Sequence, residues 1–209
     1  MWGFSQLSTA EAERQRDIYA PLTGSVRELI DATVRTQVDA DTVAAAVAEI
    51  VAVTNKLRRQ QCDGTLGVTV TPDKNLYPWG NLVMGPRNPT APPLLVEHDR
   101  ADGAHADVYL GAPYEGAPGH LHGGYSALLL DHILGAVASR RDPATMAATG
   151  TITYRYLRPT RLGHLHLEAA IQGVEGRKLF LTGHLGDADG STVEAEGTFI
   201  VLPPSASGG

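Results

Sequence analysis

Two adjacent glycines, Gly123 and Gly124, lead into an apolar stretch, 126–139, that contains a single carboxylate, Asp131. The stretch reads as a helix, since Ala127, Leu128, Leu129, Leu130, Ile133, Leu134, Val137 and Ala138 are apolar almost all round. A helix apolar on nearly every side is buried on nearly every side. Glycines at its start expose backbone N–H groups with no side chain in the way. Together with the positive end of the helix dipole, such donors can polarise a carbonyl or hold a developing oxyanion. The plainer alternative is a tight turn feeding a buried helix.

A carboxylate inside such a helix is costly unless it is hydrogen-bonded, paired or open to a cleft. Asp131 is therefore either a structural acceptor or, at an acyl centre, a nucleophile or a general base for water. Seven residues separate Gly124 from Asp131, which is about 10 Å along one helix. One reacting carbon cannot lie within roughly 3 Å of both. If both act on one substrate, the second group must come from another subunit, so the spacing itself predicts a dimeric site.

Other arrangements are weaker. His120-x-His122 and His164-x-His166 have the spacing of metal-ligand pairs, because alternate strand residues share a face. No Glu follows His122 at four or five residues, where Ser126 and Ala127 stand, and no metal is expected. Gly124-Tyr125-Ser126-Ala127-Leu128 lacks the closing glycine of a nucleophile elbow. Neither a P-loop nor a dinucleotide fingerprint occurs. Cys62 has no evident base partner.

The elements that must position these residues follow from periodicity. Ser25 is placed to cap a helix carrying Val26, Leu29, Ile30, Val34 and Val38. Asp39 or Asp41 then starts a second helix with Val43, Val47, Ile50, Val51, Thr54 and Leu57 on one face. These stripes are expected either to pack on the rest of the domain or to form a dimer arm or lid. Residues 61–93 are rich in turn signals, among them Pro72-Asp73, Tyr77-Pro78-Trp79-Gly80 and Gly85-Pro86, and read as a loop-rich connection. Strands are expected at Leu94–His98, Ala106–Leu110, Thr149–Leu157, Leu165–Val174, Leu179–Leu185 and Thr192–Leu202, with a hairpin turn at 99–103 and a break at Asp142-Pro143. The order β-β-α-β-β-β-β describes one buried helix wrapped by an antiparallel sheet. The small, polar tail Pro203–Gly209 is expected to fray.

Composition narrows the function classes. The chain has 209 residues, 43% of them hydrophobic and 19% charged, with 23 glycines and 13 prolines, an ordinary globular mixture. A net charge of −6 argues against a nucleic-acid partner. The single cysteine requires no oxidising compartment. No apolar run approaches the roughly 18 residues of a membrane span, and Met1–Ser5 lacks the character of a secretory signal. A cytoplasmic protein is expected.

His122-Gly123-Gly124, then Ala127, Asp131 and Gly135, resembles the helix signature of hotdog-fold acyl-CoA thioesterases, of the phenylacetate-degradation and thioesterase-superfamily type. Gly116-Ala117-Pro118-Gly119 resembles the lead-in of that family, and so does Asn88-Pro89-x-x-Pro92-Pro93-Leu94 before the first strand. Thr149–Pro159 is similar to the strand that follows the helix, and the Gly176-Arg177-Lys178 and 187–190 turns also fit. The resemblance covers about residues 85–202. It implies an α+β hotdog domain at 94–203, a loop-rich connection at 61–93 and a helical extension at 1–60 that the family does not explain.

Carried over by position, the resemblance implies that Gly124 N–H polarises a thioester carbonyl while Gly123 permits close approach. Asp131 would attack or activate water, and Thr149 would orient that water or the carboxylate. His122 would either shape the loop and meet the substrate or serve as a capping or core histidine. His120 is an imidazole additional to the motif. Arg155, Arg158 and Arg161, near strand ends, could meet the phosphates of coenzyme A or form a solvated basic edge.

The implied activity is hydrolysis of an acyl-CoA or acyl-carrier-protein thioester in fatty-acid or lipid metabolism. It needs no cofactor beyond coenzyme A within the substrate. A homodimer, or a tetramer built from it, would hold the site between subunits. The rival readings are a non-catalytic acyl-CoA binder of the same fold, an enoyl-thioester hydratase and a metal-dependent enzyme. Ala136 stands where the hydratase pattern places a His five residues after Asp131.

Overall fold

The computed structural model describes residues 4–92, 94–99, 102–140 and 146–202. Within it the chain divides into two compact units, Met1–Thr90 and Ala91–Gly209. Pro93, the turn residues Arg100 and Ala101, the Asp142-Pro143 break and the 203–209 tail lie outside the described residues.

In the first unit, strand β1 (Phe4–Gln6) runs parallel to β2 (Val68–Val70), and β2 pairs antiparallel with β3 (Leu76–Pro78). Two short strands thus lie in the stretch that reads as turns. Trp79, just after β3, is buried; its Nε1 donates to Thr69 Oγ1 at 2.8 Å, and Thr69 Oγ1 in turn lies 2.7 Å from Ser5 Oγ. Helix α1 (Thr9–Arg35) starts at the Ser8 cap, whose side chain accepts from Glu11 N–H. The expected cap at Ser25 is therefore incorrect. Ser8 with Glu11 three residues on has the capping-box spacing, and the helix continues through Pro21 and Gly24. Helix α2 (Ala40–Leu57) begins at the Asp39 cap, which accepts from Thr42 N–H at 2.8 Å. It buries none of its residues. Val43, Val47, Ile50, Val51, Val53 and Leu57 are all exposed, so its stripe is not buried among the described residues of this unit.

In the second unit, six antiparallel strands are ordered β4 (Glu97–His98), β5 (Gly103–Leu110), β7 (Gly163–Glu175), β8 (Lys178–Asp187), β9 (Gly190–Val201) and β6 (Ala147–Tyr156). Helix α3 (Gly123–Arg140) lies against strands β5 to β9. Alternation decides the faces: Leu165 and Leu167 of β7, Leu179, Leu181 and Leu185 of β8, and Val193, Ala195 and Phe199 of β9 are buried. They meet Leu129, Leu130, Ile133 and Leu134 of α3, none of which is exposed at all. The strand expected at Leu94–His98 is shortened to Glu97–His98. Glycines with positive φ close the two long hairpins, Gly176 at 57° and Gly190 at 106°. Strand β6 forms one edge of the sheet and buries none of its residues.

Candidate active site

His122 supplies the first carbonyl of α3, accepting from Tyr125 N–H at 2.8 Å and Ser126 N–H at 3.3 Å. Its Nδ1 also accepts from Gly124 N–H at 3.0 Å, so the imidazole caps the helix while bearing its proton on Nε2. The lead-in is held close to this cap. Gly116 N–H donates to the His120 carbonyl, His122 N–H to the Tyr114 carbonyl, and Gly119 N–H to the Glu115 carboxylate. A Cβ on Gly116 would come within 2.8 Å of His122 Cα, which explains why glycine stands there. His120 Nδ1 sits 2.9 Å from the Pro118 carbonyl, turned back onto its own loop.

Asp131 lies two turns further along the same helix and is partly exposed, whereas its neighbours Leu130 and Ile133 are fully buried. Thr149 Oγ1 donates to Asp131 Oδ1 at 2.8 Å, leaving the second carboxylate oxygen to other partners. Two tyrosines of β6 bond the same helix. Tyr154 donates to the Ala127 carbonyl at 3.1 Å and Tyr156 to the Gly123 carbonyl at 3.0 Å. Burial, aided by Asp131 and then Tyr156, pushes the Tyr154 phenol up to about 12, so it remains a donor across the neutral range.

Residues 123, 127 and 131 are spaced by four and lie in one row along the helix. On a strand, by contrast, residue 149 has the opposite parity to 154 and 156. A bulge at Gly150 reconciles them, because Thr149 pairs with Phe199 but Thr151 pairs with Thr198. Past the bulge, Ile152, Tyr154 and Tyr156 oppose Gly197, Ala195 and Val193, and thus share the helix-facing side with Thr149.

The remaining residues singled out in the sequence lie elsewhere. Arg158 forks onto Asp187 with bonds of 2.9 and 2.6 Å and also donates to the Gly190 carbonyl. Arg161 pairs with Asp189 at 2.7 Å, and Arg155, largely exposed, stands 3.5 Å from Glu194. His166 lies between Asp107 and Glu168 on the outer face of the sheet, and its pKa is raised chiefly by the bond to Asp107. His164 stacks edge-on against Tyr109. Among the described residues no three His, Cys, Asp or Glu side chains gather as a metal site. Sequence reasoning passed over His132, next to Asp131, whose Nε2 is buried without a partner among the described residues. Burial holds its pKa below the usual histidine value.

Comparison with known proteins agrees with this architecture. The model of the thioesterase superfamily matches residues 118–194. The solved structure of a thioesterase superfamily protein is 31% identical, covers 87% of this chain and 90% of its own, and superposes with a TM-score of 0.76. The chain belongs to the thioesterase superfamily and has the hotdog α+β fold. The Haemophilus influenzae thioesterase HI1161, 17% identical, shares the fold over 56% of this chain and 82% of its own, with a TM-score of 0.51. Among curated proteins, acyl-coenzyme A thioesterase THEM4 from Bos taurus is 36% identical over 104 residues, covering 48% of this chain and 42% of its own. The Xenopus laevis THEM4 is 32% identical over 111 residues, covering 51% and 49%. The chain thus spans under half the length of these curated relatives.

Proposed function

We propose that this protein hydrolyses an acyl-CoA thioester to the free acid and coenzyme A. The observation that carries this reading is the carboxylate of Asp131, held by Thr149 at 2.8 Å on the partly exposed face of a helix whose other face is buried and whose N-terminus presents Gly124 N–H. The thioester carbonyl would replace His122 Nδ1 as the acceptor of Gly124 N–H, one acceptor exchanged for another at little net cost. Asp131 takes a proton from water as the water oxygen adds to the carbonyl carbon. Collapse of the tetrahedral adduct breaks the C–S bond, and the departing thiolate recovers a proton as the thiol. The alternative route, direct attack by Asp131, forms an acyl anhydride that water then opens, with the same products. Either route uses one carboxylate near the carbonyl carbon and N–H donors at the oxygen.

Because Gly124 and Asp131 of one chain are two helical turns apart, each site would pair the Gly124 of one subunit with the Asp131 of its partner. Edge strand β6 offers unpaired backbone groups to a second copy, which supports a homodimer, alone or within a tetramer. No helix among the described residues is long and apolar enough to cross a membrane. A cytoplasmic role in fatty-acid or lipid metabolism is part of the same proposal.

Thiol release from a panel of acyl-CoAs, short to long and aromatic, tests the reading, with wild type measured beside Asp131→Asn. Turnover by wild type supports hydrolysis and ranks the acyl groups. Tight binding without release would leave an acyl-CoA binder instead. Thr149→Val keeps the shape of the side chain and removes its hydroxyl. It is expected to lower kcat by roughly tenfold to a hundredfold with KM little changed, since a misdirected carboxylate costs rate more than binding.

A further inference from the structure

Gly123 C=O and Gly124 N–H belong to one planar amide. Tyr156 Oη donates to the oxygen of that amide at 3.0 Å, while its N–H is the donor now held by His122 Nδ1 at 3.0 Å. The carbonyl oxygen has two lone pairs, one directed to Ala127 N–H by helical geometry, so the phenol adds a second bond rather than replacing the first. A hydrogen bond received at the oxygen draws electron density from the nitrogen and strengthens the N–H as a donor. It also fixes the plane of the amide, and hence the direction of the N–H.

The tyrosine is itself well placed to do this. Its ring edge packs against Gly123, where an added Cβ would lie 3.4 Å from Cε1. Its side chain shares the helix-facing side of β6 with Tyr154 and Thr149 because of the bulge. Tyr154 makes a similar bond to Ala127, but that amide's N–H belongs to Leu128, within the helix. Tyr156 acts on an amide whose N–H has no carbonyl partner in the helix.

We propose that Tyr156 is a positioning residue for thioester hydrolysis, which aims and polarises the Gly124 N–H through the Gly123–Gly124 peptide. This inference rests on the hydrolase reading above. Charge on the carbonyl oxygen grows toward the tetrahedral adduct, so a stronger and better-aimed donor matters most in the transition state. Loss of the phenol hydroxyl therefore falls on kcat rather than KM.

Tyr156→Phe tests this, since it keeps the ring against Gly123 and removes only the hydroxyl. Against the best substrate of the acyl-CoA panel, kcat is expected to fall about fivefold to tenfold with KM within about twofold. The melting temperature should move little, as the bond is partly exposed. A second readout requires no substrate. In ¹⁵N-labelled protein, the Gly124 amide proton should shift upfield in Tyr156→Phe and stay in place in Tyr154→Phe, which removes the similar bond one turn along.

An unchanged kcat in a folded Tyr156→Phe protein, with wild type active, overturns the positioning role and leaves the hydrolase reading intact. A Gly124 resonance that does not move, or moves equally in both variants, also overturns it. If wild type releases thiol from no acyl-CoA, the hydrolase reading fails and this role fails with it.

Discussion

Replacing Asp131 by Asn is expected to lower kcat for acyl-CoA hydrolysis by about a thousandfold, within the range associated with losing a general base or nucleophile. The amide keeps an oxygen to accept the 2.8 Å bond from Thr149 Oγ1, and its size matches the carboxylate. Packing around Leu130 and Ile133 is thus undisturbed, and the melting temperature should stay within about 2 °C of wild type, as expected for an isosteric change at a partly exposed position. Acyl-CoA affinity should persist, because the amide removes charge and basicity rather than a contact surface. Near-normal turnover in the folded variant would remove Asp131 from the chemistry. The same variant probes the shared site. Gly124→Val places a branched side chain where even a Cβ would lie 3.1 Å from His122 Nδ1. If each site draws on both subunits, mixing that variant with Asp131→Asn restores one intact site per heterodimer. Activity of the mixture should then rise well above that of either variant alone. A mixture as inactive as its components, with subunit exchange demonstrated, would place both groups in one chain.

Asp187→Ala should lower the melting temperature by roughly 5–10 °C, because several bonds depend on one carboxylate. Its side chain is only 5% exposed, and it accepts both arms of the Arg158 fork as well as the N–H groups of Arg161 and Asp189. The Arg158 guanidinium, and then those N–H groups, hold its carboxyl well below the ordinary aspartate value despite burial. A carboxylate depressed in the folded state stabilises the fold above its unfolded pKa, near 3.9, and loses that contribution as pH falls toward the folded value. The difference between wild type and Asp187→Ala should accordingly be full at neutral pH and narrow below about pH 4. A difference that widens on acidification would contradict this account. Activity should fall as well, for the segment beside Arg158 supports the start of α3. Leu121 N–H donates to the Thr160 carbonyl at 2.9 Å and Leu162 N–H to the Gly119 carbonyl at 3.1 Å.

The comparison of α1 with α3 shows where local reading succeeds. Helix α3 was legible because its apolar run, 126–139, is too long for a single buried strand, although the face carrying Ala127, Asp131 and Gly135 is only partly buried rather than enclosed as expected. The true start of α1 was hidden by the mostly polar run 9–17 and by Pro21 and Gly24 after it, although Ser8 and Glu11 carried the capping signal. The stripe of α2 was legible as a pattern, but periodicity cannot say what covers it, and among the described residues none of it is buried.

The candidate site divides in the same way. Residue type and helical spacing by themselves placed Gly124 and Asp131 on one helix about 10 Å apart, since rise per residue is a property of local backbone geometry. They could not supply Tyr156, or the commitment of Arg158 to Asp187, partners separated by 33 and 29 residues. Strand alternation even argues against the observed arrangement, because it sets Thr149 on the opposite face from Tyr154 and Tyr156. Only the bulge at Gly150 brings all three hydroxyls to the helix. At Gly150 a Cβ would lie 3.0 Å from the Thr198 carbonyl. A one-residue shift in register reverses every side chain beyond it, and that shift is set where β6 pairs with β9 across the sheet, at a glycine that leaves room for it.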